Sequence, residues 1–134
     1  TYNGGRDVFV TRLDLGTAIG FSQPGGPGTP ITIDNGYLIP GNEYYNIFSL
    51  DLCPAGPGTG PYLGLCATTL PNVQFIVLQA SLPVGSPPFH IVATASTASW
   101  GPYTVGPGTL DAVCLDVTGG VLGSYSPVTR ITIQ

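Results

Sequence analysis

Asp7-Val8-Phe9-Val10-Thr11-Arg12-Leu13-Asp14-Leu15, near the start of the chain, alternates in the manner of a β-strand. Phe9, Thr11, Leu13 and Leu15 share one face, while Val8, Val10, Arg12 and Asp14 share the other. Because the backbone groups of a strand need a sheet, this segment either folds back onto its own domain or pairs with another chain. A Gly/Pro-rich stretch follows it. We therefore predict a strand arm at 1–22, a linker at 23–30 and a folded domain at 31–134.

The folded domain has the pattern of short strands separated by turns. Candidate strands lie at 31–34, 37–39, 43–53, 62–67, 73–82, 89–99, 103–105, 109–117 and 128–133, with Gly, Pro and Asn between them. The nearly continuous apolar run from Val73 to Leu82 is typical of a central core strand. No amphipathic helix is evident. The sequence predicts an all-β protein: a two-sheet antiparallel β-sandwich of jelly-roll or immunoglobulin-like type, with an N-terminal strand arm.

The composition is poor in charge. Only 7% of the residues are charged, Lys and Met are absent, and the mean hydropathy is +0.31. Since about 25% charge is usual, part of the surface is expected to be covered by neighbouring subunits, by glycans or by a larger parent chain. The alternative is a neutral surface of Ser, Thr, Gly and Asn.

The same totals bear on partners and location. A net charge of −4 without a basic cluster argues against nucleic acid and anionic membranes, and no apolar run is long enough for membrane insertion. The chain starts at Thr1 and shows no signal-peptide pattern, as a processed fragment would. We expect a secreted protein, extracellular or at the cell surface, that associates with itself.

Three cysteines carry a second structural signal. Cys53 and Cys66 bracket the Gly/Pro-rich loop 54–61, and their local spacing predicts a disulfide between them. Cys114 is then a buried thiol, the true partner of one of the others, or a bond to another chain. A disulfide favours an oxidising compartment.

Signatures of catalysis are absent. The three cysteines with His90 lack the short C-x₂₋₄-C spacing of a zinc site, and no common enzyme motif is present. A Ser–His90–Asp triad assembled in space stays an open alternative. We expect no enzyme activity, no cofactor and no metal, with the His90 imidazole hydrogen-bonded locally.

Aromatic residues suggest a sugar-binding alternative. In Trp100-Gly101-Pro102-Tyr103, two rings sit on an expected turn, where they could stack on carbohydrate; otherwise they fill the edges of the sandwich. No N-x-S/T sequon exists, whereas Thr29 and Ser126 precede prolines, as O-glycosylated residues can.

Residues 2–14, Tyr-Asn-Gly-Gly-Arg-Asp-Val-Phe-Val-Thr-Arg-Leu-Asp, resemble part of a bacterial extracellular β-propeller repeat of the SBBP type. The rest of the chain does not continue that repeat, so no propeller is inferred. From about Ile31 the layout resembles small secreted bacterial β-sandwich surface modules and pilus-type subunits that donate a terminal strand to a neighbour. This resemblance implies assembly by strand exchange, by analogy of architecture.

The sequence thus predicts a secreted structural protein, the subunit of an extracellular filament or surface assembly. Strand addition of the arm would polymerise it, with assembly contacts at Val8, Phe9, Val10, Leu13 and Leu15. The alternative is a carbohydrate-binding or adhesion module of a larger secreted protein. A small hydrolase is the third hypothesis.

Overall fold

The structure, a computed structural model, describes residues 16–134. In this part of the chain the elements follow in the order β1 (Ala18–Ser22), β2 (Ile31–Gly36), β3 (Glu43–Ser49), α1 (Leu70–Ala80), β4 (His90–Val92), β5 (Ala98–Tyr103), β6 (Gly108–Asp116), a 3₁₀ turn (Thr118–Gly120) and β7 (Thr129–Ile133).

The strands form two antiparallel sheets. One has the order β1-β2-β5 and the other has the order β4-β3-β6-β7. The main core lies between them, where Ile19, Ile31 and Ile33 of the first sheet pack against the second, which contributes Tyr44, Phe48, Ala112, Cys114, Ile131 and Ile133. The expected mostly-β architecture with two antiparallel sheets is confirmed.

The part of the expected arm that the structure describes belongs to the sandwich. β1 pairs with β2 from Ala18 opposite Gly36 to Ser22 opposite Thr32. The expected linker 23–30 is the loop that joins these two strands, and the Gln23 side-chain amide donates to the Gln134 carbonyl. The expected boundary at residue 22 therefore does not separate β1 from the domain. The predicted strand 7–15 lies outside the described residues.

The expected core strand over 73–82 is wrong, because Leu70–Ala80 is a helix. Thr69 caps its N-terminus by accepting a hydrogen bond from the Asn72 amide, and Pro71 stands in the first turn, where its missing N–H costs nothing. These two start signals outweigh the β-branched residues that follow.

Four other expected strands also differ, and of 103–105 only Tyr103 lies in a strand, as the last residue of β5. Residues 37–39 form the loop between β2 and β3, and 62–67 form only isolated bridges, such as Tyr62 with Leu65. The expected strand 89–99 divides into β4 and the start of β5, with bends between them.

A side-chain amide joins the helix to the sheet. Gln79 of α1 is 2% exposed, and its amide donates to the Phe48 carbonyl at 2.7 Å while accepting from the Phe48 amide at 2.8 Å. It thus takes the place of a neighbouring strand at this point on β3. Since unpaired buried backbone groups are costly, this pair of bonds positions α1 against β3.

A buried amide pair joins the two sheets. Asn35 of β2 and Asn46 of β3 exchange two hydrogen bonds of 2.8 Å. Asn35 also accepts from the Trp100 indole, and Asn46 also donates to the Pro88 carbonyl. Because a buried amide is tolerated only when its groups are paired, this cluster fixes how the sheets are placed relative to each other.

Replacement of Gln79 by Ala is expected to destabilise the fold by about 2 to 4 kcal/mol, since it leaves the Phe48 donor and acceptor unsatisfied in a buried place. Urea unfolding measures the change. Gln74→Ala, on the exposed face of the same helix, is the matched control and should change stability by less than about 0.5 kcal/mol. Equal effects of the two variants would contradict the role of Gln79.

Candidate functional site: an apolar groove between the sheets

An open apolar groove of about 540 Å³ lies between the two sheets, a size typical of pockets that take ligands or side chains. We call it the intersheet groove. It is lined by Ile31, Ile33, Phe48, Leu50, Phe75, Pro87, Pro88, Phe89, residues 103–110, Ile131 and Ile133. Thr104 and Thr109 carry the only aliphatic hydroxyls in this lining, and none of its side chains is charged.

The two sheets that border the groove differ in width, since the first has three strands and the second has four. β1 is placed over β7, since the Thr129 hydroxyl donates to the Ile19 carbonyl, and it also contacts β6. β5 ends the first sheet, and in the described chain no strand lies beyond it. The side of β3 that faces away from β6 is therefore left without a strand above it.

The interior of the groove is aromatic, and its rim is aliphatic and exposed. Phe48 and Phe89 meet edge to face with ring centroids 5.9 Å apart, and Phe75 of α1 packs against the same core. At the rim, Leu50 is 56% exposed and Val105 is 45% exposed. Exposed apolar side chains around an apolar opening are typical of a surface that a macromolecule covers.

The groove opens at one end of the sandwich, and the arm joins the domain at the other. Ile31 and Tyr103 line the groove, and they face each other across β2 and β5. Gly16 precedes β1, whose first residue, Ala18, pairs with Gly36 at the opposite end of β2. The two features are separated by the length of the strands.

The structure places the expected sugar-stacking residues in β5 rather than in a turn. The Trp100 indole is half-buried and donates to Asn35 at 2.9 Å, while Tyr103 lines the groove. The two rings thus serve the interior of the sandwich. Ser126, one of the expected glycosylation positions, is buried and accepts from the Cys114 amide.

The expected disulfide between Cys53 and Cys66 is confirmed. Cys114 is a buried free thiol, and the Thr17 hydroxyl donates to its sulfur at 3.4 Å. Burial raises the pKa of this thiol to about 12. Of the three roles considered for Cys114, the structure thus supports the buried thiol.

His90 is buried between two acceptors. Its Nδ1 lies 2.7 Å from the Leu82 carbonyl, its Nε2 contacts the Glu43 carboxylate, and the Tyr45 ring stacks on it at 3.8 Å. The imidazole thus joins β4 both to the preceding loop, at Leu82, and to β3, at Glu43, which is distant in sequence and not the local partner expected. Among residues 16–134, no three His, Cys, Asp or Glu side chains are grouped closely enough to hold a metal ion.

The five expected assembly residues, Val8, Phe9, Val10, Leu13 and Leu15, lie outside the described residues. The sequence did not predict the groove residues as a set. Phe48 lies in the expected strand 43–53, but Phe75 was hidden by the wrong assignment of its helix. The Thr69–Pro71 start signal could have revealed it.

Within residues 16–134, no helix has both the length and the apolar character needed to span a membrane. Comparison of the chain with protein-family models, with curated proteins and with solved structures gave no match. The function must therefore be argued from the groove.

Cys114 is expected to resist thiol reagents in the folded protein at pH 8, because the raised pKa makes its thiolate about a thousandfold rarer than that of an ordinary thiol. Absorbance titration should find no reactive thiol until denaturant is added, and then one. Cys114→Ala, the control, should give none in either state. Since the folded pKa is raised, stability should fall as the pH increases from 9 towards 12. Rapid labelling of Cys114 in the folded protein would contradict the burial of its thiol.

Proposed function

We propose that this chain is a secreted structural subunit, and that its N-terminal arm completes the sandwich of a neighbouring copy. The intersheet groove is the observation that carries the proposal. It is apolar and open, and it lies between a sheet of three strands and a sheet of four. An added strand would supply main-chain hydrogen bonds and fill the groove with alternate side chains.

The arm has the pattern that such a groove requires. Its Phe9, Leu13 and Leu15 face is uncharged, whereas Arg12 and Asp14 lie on the opposite face and would remain in water. Side chains of an added strand alternate between the interior and the solvent. The apolar face of the arm therefore matches an apolar groove without burying a charge.

Strand geometry favours a neighbour's groove over the chain's own. Gly16 lies about 17 Å from the level of Ile33, measured along the strands. A strand added beyond β5 would lie about 14 Å from β1, measured across the sheet. The direct distance from Gly16 to that position is therefore about 22 Å. The seven residues that separate Phe9 from Gly16 span at most about 25 Å, so Phe9 could just reach the position beyond β5. Leu13, three residues from Gly16, reaches only about 10 Å, and Leu15 reaches less. Only another copy can receive all three side chains.

Placement of the arm and the groove at opposite ends gives the contact a direction. Each copy would donate at one end and accept at the other, and a head-to-tail contact that does not close produces a filament. The Cys53–Cys66 disulfide suits an extracellular location, and the low charge suits a surface that neighbours cover.

Of the two sandwich types expected, we propose the immunoglobulin-like type. The order β1-β2-β5 matches strands A, B and E, and β3-β6-β7 matches C, F and G, with β4 added beside C. In constant-type domains a fourth strand, D, lies beside E, and here no described strand takes that position.

Leu13→Asp is expected to abolish the polymers, since it would place a carboxylate in an apolar groove. Negative-stain microscopy and size-exclusion chromatography measure the assembly. Val10→Asp is the matched control, because residue 10 lies on the solvent face of the added strand, and its polymers should persist. Polymers of normal length from Leu13→Asp would refute strand addition.

A further inference from the structure

We propose, on the basis of the function proposed above, that the arm binds along the outer edge of β5, parallel to it, with Phe9 among the aromatic rings of the neighbour's groove. The inference names the accepting edge, the direction and the anchor residue of the same contact. These details follow from the described residues that surround the groove.

β5 reaches the groove through Tyr103, and its outer edge has no partner strand in the described chain. β2 occupies the inner edge of β5, through pairs such as Ile33 with Trp100. On the other sheet, the corresponding side of β3 is already occupied: β4 pairs with it as far as Tyr45, the Phe89 carbonyl accepts from Asn46, and Gln79 serves Phe48. The main chain of an added strand therefore finds its partners on β5 and not on β3.

Pro102 is consistent with this edge. It lies within β5, and proline is tolerated in a sheet at an edge strand, since it has no N–H to donate. The added strand would then pair with the part of β5 that precedes Pro102, from Ala98 to Gly101. Ala98 pairs with Asn35, Asn35 bonds to Asn46, and the Asn46 amide donates to the Phe89 carbonyl, so this part of β5 begins at the level of Phe89.

The direction follows from where the arm is attached. The donor's arm leaves from the Gly16 end of its sandwich, and the acceptor's groove opens at the Tyr103 end of its own. When copies stack end to end, the donor's arm residues nearest Gly16 lie at the rim of the acceptor's groove. The arm residues further from Gly16 lie deeper in that groove. β5 also runs from the interior, at Ala98, to the rim, at Tyr103. The arm therefore runs parallel to β5.

The spacing of the apolar side chains sets the register. Phe9 is the one aromatic residue on the inward face of the arm, and aromatic rings pair favourably with the Phe48, Phe75 and Phe89 rings. Phe89 lies at the level of Asn46, four residues along β3 from Leu50 at the rim. Leu13 lies four residues from Phe9. With Phe9 beside Phe89, Leu13 reaches the level of Leu50.

Disulfide trapping between copies tests this register. Full-length chains carrying Phe9→Cys are mixed with chains carrying Phe89→Cys, and chains carrying Leu13→Cys are mixed with chains carrying Leu50→Cys. Each mixture is unfolded and allowed to refold and assemble together, then oxidised. Both pairs should give a cross-linked dimer on non-reducing gels, because paired Cα atoms must approach within about 7 Å. Phe75→Cys replaces Phe89→Cys if thermal melting shows that the latter variant does not fold.

The exchanged pairs are the matched controls. Phe9→Cys with Leu50→Cys and Leu13→Cys with Phe89→Cys should stay uncross-linked, as should Val10→Cys, which faces solvent, with Phe89→Cys. Cross-linking of the exchanged pairs would show the antiparallel direction and overturn the inference. Wild-type polymers without either expected cross-link would overturn the register and leave the proposed function standing. If the wild-type chain forms no polymers, both the inferred contact and the proposed function are refuted.

Discussion

A β-sandwich buries the inner face of each sheet only where the other sheet covers it. Here three strands face four, and β1 is fixed over β7 by the Thr129–Ile19 hydrogen bond. The groove between the sheets extends from Phe48 of β3 to Ile131 and Ile133 of β7. Its lining is apolar, with the aromatic rings of Phe48, Phe75 and Phe89 inside and exposed aliphatic side chains at the rim. Burial of such a surface is the main source of stabilisation available to a partner.

Two internal polar contacts keep the groove from closing. The Asn35–Asn46 pair fixes the two sheets relative to each other, and Gln79 fixes α1 at the edge of β3. A slide of either sheet that narrowed the groove would break hydrogen bonds in places that water does not reach, at a cost of about 1 to 3 kcal/mol for each unsatisfied group. The site is thus preorganised, and a strand that fills it need not first rearrange the fold.

The sequence predicted the sandwich well and the groove poorly, for physical reasons. Alternation and turn residues report local backbone preference, so β2, β6 and β7 were anticipated within a few residues of their bounds. The apolar run after Thr69 satisfies both a buried strand and a helix, and only its capping residues distinguish the two. The groove is formed by segments that are distant in the sequence. Phe48, Phe75 and Phe89 come together through the order of the strands, which no local pattern encodes. The disulfide was predictable because its spacing is local.

The central claim is that each copy completes the next with its N-terminal strand. A cryo-EM reconstruction of the assembled chain, at a resolution that traces side chains, tests it most directly. The account predicts continuous density for residues 8–15 beside β5 of the adjacent subunit, with the Phe9 ring among Phe48, Phe75 and Phe89. Density that places these residues against their own subunit, with the neighbouring groove empty, would contradict it.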